Sequence, residues 1–445
     1  MNKIFCLSEK LHEFFNKKAE EISAVTGFIK RRRKLKGSSF IKAMVLGNMG
    51  NGNCSIDGLC QLLNEDAVEI TKQGVDFRFT EVAVRFMASM YLEAVKLFKS
   101  SLQIDCEILK QFRSIKLLDS TYVSLPNNMK DIYKGYGTSY SGYDSSTKSA
   151  VKLQTVFDYL NQTLERLDIK EGVRSDQGYR DYLQDIVAND LLICDLGYFV
   201  PGSFKYIDES QAYFISRYKA DTNIYDIQTV QKLGLLELLK NQSFLEKEVL
   251  LGKETKIKVR IICTKLTPEQ SIARRRKANK LAKSHGYQSS SRNQALLEWS
   301  IFITNIPAIK ITTDQVCKIY RLRWQIELLF KLYKSHIKLE SLKGHSKPTR
   351  VLCELYAKLC VAMLFHSLTG CIELKKNTEI SLTKAVIELQ RRTRELFTSL
   401  NSSVNNVLAF LQKLLAAWSK FSLKDKYRKN RPFTLNSPQL LTTQP

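Results

Sequence analysis

Two short apolar runs, each ending in an aspartate, constrain this chain most. Ile115–Leu118 leads into Asp119, Ser120 and Thr121, and Leu191–Cys194 leads into Asp195, Leu196, Gly197 and Tyr198. Apolar runs of this length, bounded by turn residues, predict buried strands rather than helices. Val151–Phe157, Thr163–Ile169 and Ala212–Arg217 predict three further strands, while Gly178–Val187 and Ser203–Glu209 predict helices. The resulting order of strand, strand, strand, helix, strand, helix, strand is that of an α/β core carrying an acid at the end of two of its strands.

A second constraint lies in Ile319–His336, IYRLRWQIELLFKLYKSH. At 100° per residue Ile319, Leu322, Ile326, Leu329, Phe330 and Tyr333 form one apolar stripe, and Tyr320, Arg323, Glu327 and Lys334 line a neighbouring one. A single carboxylate among a phenol, a guanidinium and an ammonium is an unusual polar face. A surface helix with an Arg–Glu pair at i,i+4 would show the same residues.

The spacing Tyr320, Arg323, Glu327, Lys334 resembles the YREK signature of insertion-sequence transposases of the DDE type. Asp119 with the following Ser-Thr, DLGYF at Asp195–Phe199 and YFISRYK at Tyr213–Lys219 resemble other blocks of that family, in its order. An aspartate at a strand end often only caps a loop, so the four blocks together carry the resemblance. It implies an α/β ribonuclease-H-like core with a mostly β insertion, flanked by all-α N-terminal and C-terminal regions, in which the first and fourth strands are neighbours and the two aspartates converge. It also implies that Asp119, Asp195 and Glu327 are catalytic and hold two Mg2+ ions, which Mn2+ could replace, with Asp119 bridging both. Tyr320, Arg323 and Lys334 would contact DNA phosphates beside the cut. Two divalent cations suit phosphodiester cleavage because they activate the attacking oxygen and stabilise the leaving one, and such hard ions want carboxylate oxygens.

The expected organisation is a helical DNA-binding domain over 1–108, the catalytic core over 109–219 and 312–370, the insertion over 220–311, and a helical C-terminal region with a basic tail over 371–445. Apolar spacing in the first region is helical throughout, with the Gly-rich NMGNGNCS expected to separate two helical groups. Lys30, Arg31, Arg32, Arg33, Lys34 and Lys36 form a dense positive run there. A solvated face is one account of it; neutralisation of several phosphates is the other. The insertion has strands at Glu248–Leu251, Ile257–Thr264 and Leu296–Pro307 and a very basic helix at Ala273–Lys283. Its Trp299 is either a core aromatic or, as the family resemblance implies, a ring that stacks on a flipped base. Val351–Leu368 is expected to back the Glu327 helix.

With Lys+Arg 69 against Asp+Glu 44, the formal charge of +25 favours a polyanionic partner, nucleic acid before membrane. A hydrophobic share of 44% marks a folded basic protein rather than a basic tail. The ten cysteines form no CxxC pair and no cluster with His at zinc-ligand spacing, as in a reduced intracellular protein. The first residues do not resemble a signal peptide, and no apolar run of the roughly 18 residues needed for a membrane span is expected. The expected partners are double-stranded DNA, at the element ends and the target, and a second copy in a homodimeric paired-end complex. The expected place is the cytoplasm, nucleoid-associated when bound to DNA. A metal-dependent ribonuclease-H-like endonuclease and a non-catalytic DNA-binding descendant of a transposase are the alternatives.

Overall fold

The computed structural model describes residues 3–30, 34–51, 54–98, 106–136, 147–284, 286, 290–342, 347–372 and 380–424. Arg31, Arg32, Arg33 and the basic tail beyond Lys424 lie outside them. The chain is mixed α/β, with one large sheet and many helices. It divides into two compact units: one holds the N-terminal helices, Ser120–Arg174 and the helices that follow Gln325; the other holds Asp105–Asp119 and Ser175–Trp324. Strand β1, Ser114–Ser124, is shared between them.

In the first unit, β2 (Lys134–Tyr136), β3 (Thr147–Asp158) and β4 (Thr163–Glu171) form antiparallel pairs, β3 with each of the others. The helices Gly37–Asn51, Glu81–Leu97 and Pro348–Thr369 pack on one another. The Gly-rich stretch separates two helices as expected: Gly37–Asn51 ends within it and Ile56–Glu65 follows, capped by Ser55. Gly47, inside the first helix, also serves close packing, since a Cβ there would lie 2.6 Å from the Cys54 sulfur.

Contrary to expectation, one helix, Pro348–Thr369, is long and apolar enough to cross a membrane; 94% of its apolar window is buried inside the fold. It also carries buried Lys358, whose ammonium donates to the carbonyls of Lys338 and Ser341, and buried Glu354, paired with Arg350 at 2.9 Å. Those partners are what a buried charge requires. It is therefore a core helix, packed on the N-terminal helices and also touching the helix of Glu327, where its His366 ring meets Tyr333 at 5.8 Å.

His366 also meets Phe157, and its Nε2 is buried without a hydrogen-bond partner among the described residues. Burial pulls its pKa down to about 4 from 6.5, so the fold holds it neutral. Its contribution is full above pH 6.5 and is lost as pH falls towards 4, because the unfolded chain binds the proton first. Urea unfolding should show up to about 3 kcal/mol of lost stability across that window. His366→Phe should flatten that part of the profile; an unchanged slope would assign it to other groups.

In the second unit the order is β1, then β5 (Asp190–Cys194), β6 (Tyr213–Arg217), β11 (Trp299–Thr304), β10 (Ile257–Lys265), β9 (Phe244–Leu251), β7 (Ile224–Tyr225) and β8 (Lys232–Leu233). β1, β5 and β6 are parallel, and β11 adds antiparallel to β6. The insertion thus prolongs the core sheet and covers what would be an open strand edge. Its longest element is a helix, Pro268–Ser284. Gly178–Val187 forms two 3-10 turns, Asp176–Gly178 and Asp181–Asp185, in place of the expected helix. Tyr179, Tyr182 and Ile186 bury their side chains from these turns.

Candidate active site

Every residue of β5 is buried, and so is β1 from Ser114 to Leu118. Central parallel strands are covered on both faces, which is why each reads as a mostly apolar run, with the paired Lys116 the exception in β1. Their register pairs Ser114 with Asp190 and ends with Leu118 opposite Cys194. Asp119 and Asp195 are the next residue on each strand, so two carboxylates leave the ladder side by side, both half-buried. β5 ends there, in a 3-10 turn whose Tyr198 N–H donates to the Asp195 carbonyl at 3.0 Å. β1 does not end at Asp119, as its acid suggested; it continues to Ser124 after leaving β5.

The start of these strands is held by Asp190, fully buried, which pairs with Arg113 at 2.7 Å and with Lys116 at 3.3 Å. Lys116 is itself only 2% exposed and also donates to the Asp185 carbonyl at 2.8 Å. A second buried cation orders the approach to the signature residues. Arg260 on β10 pairs with Glu246 at 2.7 Å and donates to the carbonyls of Ile306 and Ile311 at 2.8 and 2.9 Å. Directly after Ile311 a capping box forms, Thr312 and Gln315 exchanging side-chain-to-backbone bonds, and opens the helix Thr313–Tyr320.

The signature does not lie on one uniform helix. Tyr320 ends the first helix, Arg323 falls in a 3-10 turn at Arg321–Arg323, and Glu327 and Lys334 belong to a second helix, Trp324–Ser335. A 3-10 turn advances about 120° per residue, so residues on its two sides leave the common stripe drawn at 100°. Tyr320 is buried. Its hydroxyl donates to the Cys194 carbonyl at 3.5 Å, its ring meets Phe302 at 4.9 Å, and the Arg217 guanidinium lies 5.7 Å from the ring centre. Burial pushes its pKa well up, with Asp195 adding to the rise and Arg217 and Arg323 opposing it. The phenol therefore anchors the helix end to β5.

Arg323 faces Asp119 at 3.4 Å. Beneath them the buried Cys194 thiol is pushed up to about 12, chiefly by burial, with the charges of Asp195, Arg323 and Asp119 all reaching it. The two aspartates offer hard oxygen donors of the kind a divalent cation takes. Glu327 lies half-buried in the first turn of its helix, and Lys334 pairs with Glu340 at 2.7 Å. Among the described residues no group of three or more His, Cys, Asp or Glu side chains is gathered closely enough to hold an ion. Trp299 is buried at the start of β11, and its carbonyl accepts from Arg274 at 2.7 Å.

Two contributors went unread in the sequence. Arg260 follows Lys258 by two positions on β10 and reads like it as part of an exposed basic face, yet Lys258 is exposed and Arg260 buried. Arg217, exposed at the end of β6 over Tyr320, carries no distinguishing signal.

Residues 110–364 match the family described as the transposase DDE domain. Over almost its whole length the chain is also similar to insertion-sequence transposases. It is 26% identical to that of IS231B from Bacillus thuringiensis subsp. berliner, over 94% of this chain and 91% of the relative. It is 26% identical to that of IS231D from Bacillus thuringiensis subsp. finitimus, over 96% and 94%. The figures for IS1151 from Clostridium perfringens are 26% identity over 96% and 95%. The family match takes in both aspartates and the signature helices, and the chain belongs to the DDE transposases of insertion sequences, enzymes that cut DNA strands and transfer them to new sites.

Proposed function

We propose that this transposase binds the terminal inverted repeats of its own element, cuts the DNA there and joins the ends to target DNA, with Asp119, Asp195 and Glu327 as the acids of the site. The observation that carries the proposal is the side-by-side exit of Asp119 and Asp195 from adjacent parallel strands, with Arg323 across from Asp119 at 3.4 Å. The parallel β1, β5 and β6, with the antiparallel pair β3 and β4 between β1 and β5 in the chain, support a ribonuclease-H-like core.

Enzymes of this family use divalent metal ions; here the ion is Mg2+, replaceable by Mn2+. When bound, a pair of such ions activates the attacking water or 3′ hydroxyl and stabilises the leaving oxygen. Asp119, Asp195 and Glu327 would hold these ions through their carboxylate oxygens. Arg323, paired with Asp119, presents a planar fork suited to a phosphate, and Lys334 a point charge. Tyr320, bound to the Cys194 carbonyl, fixes where Arg323 starts. Lys30, Arg31, Arg32, Arg33, Lys34 and Lys36 supply phosphate contacts at the element ends. An element has two ends to process, so the working form is a homodimer on paired ends.

The test is incubation of the full chain with Mg2+ and a duplex carrying the sequences that flank its reading frame. Cuts at the inverted repeats are expected. Cutting scattered without regard to those repeats would overturn the assignment.

A further inference from the structure

The helix Pro268–Ser284 has no place in the catalytic account, yet it carries Arg274, Arg275, Arg276, Lys277, Lys280 and Lys283 against one acid, Glu269. These six cations are not equivalent. Arg274 and Arg275 are half-buried and turned inward, Arg274 onto the Trp299 carbonyl at 2.7 Å and Arg275 onto the Glu298 carboxylate. They fasten the helix to the start of β11. Arg276, Lys277, Lys280 and Lys283 point outward, exposed, and none has an ion pair among the described residues.

Holding these four together is unfavourable in the free protein. Arg276 and Lys280 stand at i,i+4 and Lys280 and Lys283 at i,i+3, spacings at which like charges repel by a few tenths of a kcal/mol. The inward end continues the same sign. Arg217 stands opposite Phe302 on β11, the strand whose Trp299 carbonyl Arg274 holds. It also lies over Tyr320, whose hydroxyl reaches Cys194 beside Asp195. Cations thus stand along β11 as well as out along the helix. From Arg276 to Lys283 the helix rises about 10 Å, the length of roughly three phosphates on one strand of duplex. Its polar Asn279 is already engaged, accepting from Gln294 at 2.7 Å. The outward cations therefore offer phosphate contacts, which carry no sequence information.

We propose that the outward face of this helix grips the phosphate backbone of duplex DNA beside the cut, whatever its sequence. The inference rests on the DNA-cutting reading for its purpose, and its test is separate because it reads binding. The full chain is titrated with a random-sequence duplex over a range of salt, beside a variant with Arg276, Lys277, Lys280 and Lys283 all changed to Gln. Four phosphate contacts contribute about 3.6 to the slope of log affinity against log salt. From about 50 to about 200 mM salt the native chain should lose roughly a hundredfold more affinity than the variant. A second variant with Arg276→Lys alone keeps the charge and should keep the slope. All four residues are exposed, so the variants should melt at the native temperature. Equal slopes for the native chain and the four-site variant would overturn the proposal, even if cutting at the element ends were demonstrated. A native chain that cut nothing but showed the slope difference would support the grip and count against the cutting assignment.

Discussion

Asp119→Asn is expected to reduce strand cutting by at least about a thousandfold while leaving binding to the element ends within a few fold. The change keeps the side chain's size and removes its charge. Charge stabilisation by a catalytic metal is worth several kcal/mol, and about 4 kcal/mol corresponds to that factor in rate. Glu327→Gln should behave in the same way, although it stands on a helix rather than beside a strand. Gel shifts with labelled ends and cutting assays on the same duplex separate the two effects. Cutting retained by either variant would count directly against the carboxylate assignment, and loss of binding in both would move these residues from catalysis to DNA contact.

The largest effect on stability is expected at Asp190. Asp190→Leu leaves Lys116, 2% exposed, without its carboxylate, whereas Arg113 is about half exposed and can return to water. Removing one partner of a buried pair costs about 3 to 5 kcal/mol. Replacing both partners with apolar residues of similar size is often neutral, so Asp190→Leu with Lys116→Met should recover most of the loss in urea unfolding. A double variant as unstable as the single one would show that the cost lies in packing at the strand start. The same pair fixes the register of β1 against β5, and the single variant should therefore lose cutting even at temperatures where it remains folded.

The two strands that end in aspartates were legible because a central parallel strand is largely apolar on both faces, so its polar ends stand out. Asp119 and Asp195 are visible for that reason, and their adjacency follows from the register that ends at Leu118 and Cys194. The basic helix and the strands of the insertion were legible from composition and alternation. The path of the signature was not. Periodicity at 100° assumes an unbroken α-helix, and nothing in RLR announces the 3-10 turn at Arg321–Arg323. The break after Asn51 was legible from its glycines, but the packing of Cys54 against Gly47, which keeps that glycine inside the helix, was not. The burial of Tyr320 was hidden for a related reason: a phenol suits a phosphate and a backbone carbonyl equally well, and the carbonyl that receives it lies 126 residues away in the chain. Arg260 shows the same limit. Its alternation with Lys258 hides its burial, and the carbonyls of Ile306 and Ile311 that it gathers lie 46 and 51 residues on in the chain.

The central claim is that Asp119, Asp195 and Glu327 together hold a pair of divalent ions. Its most direct test is a Mn2+ titration of the full chain on an uncleavable duplex of its element end, followed by electron paramagnetic resonance. The account predicts two ions per chain with the dipolar broadening expected of centres about 3.5 to 4 Å apart, and loss of that coupled signal in each of Asp119→Asn, Asp195→Asn and Glu327→Gln. The same coupled signal in the native chain and in any one of the three variants would contradict it.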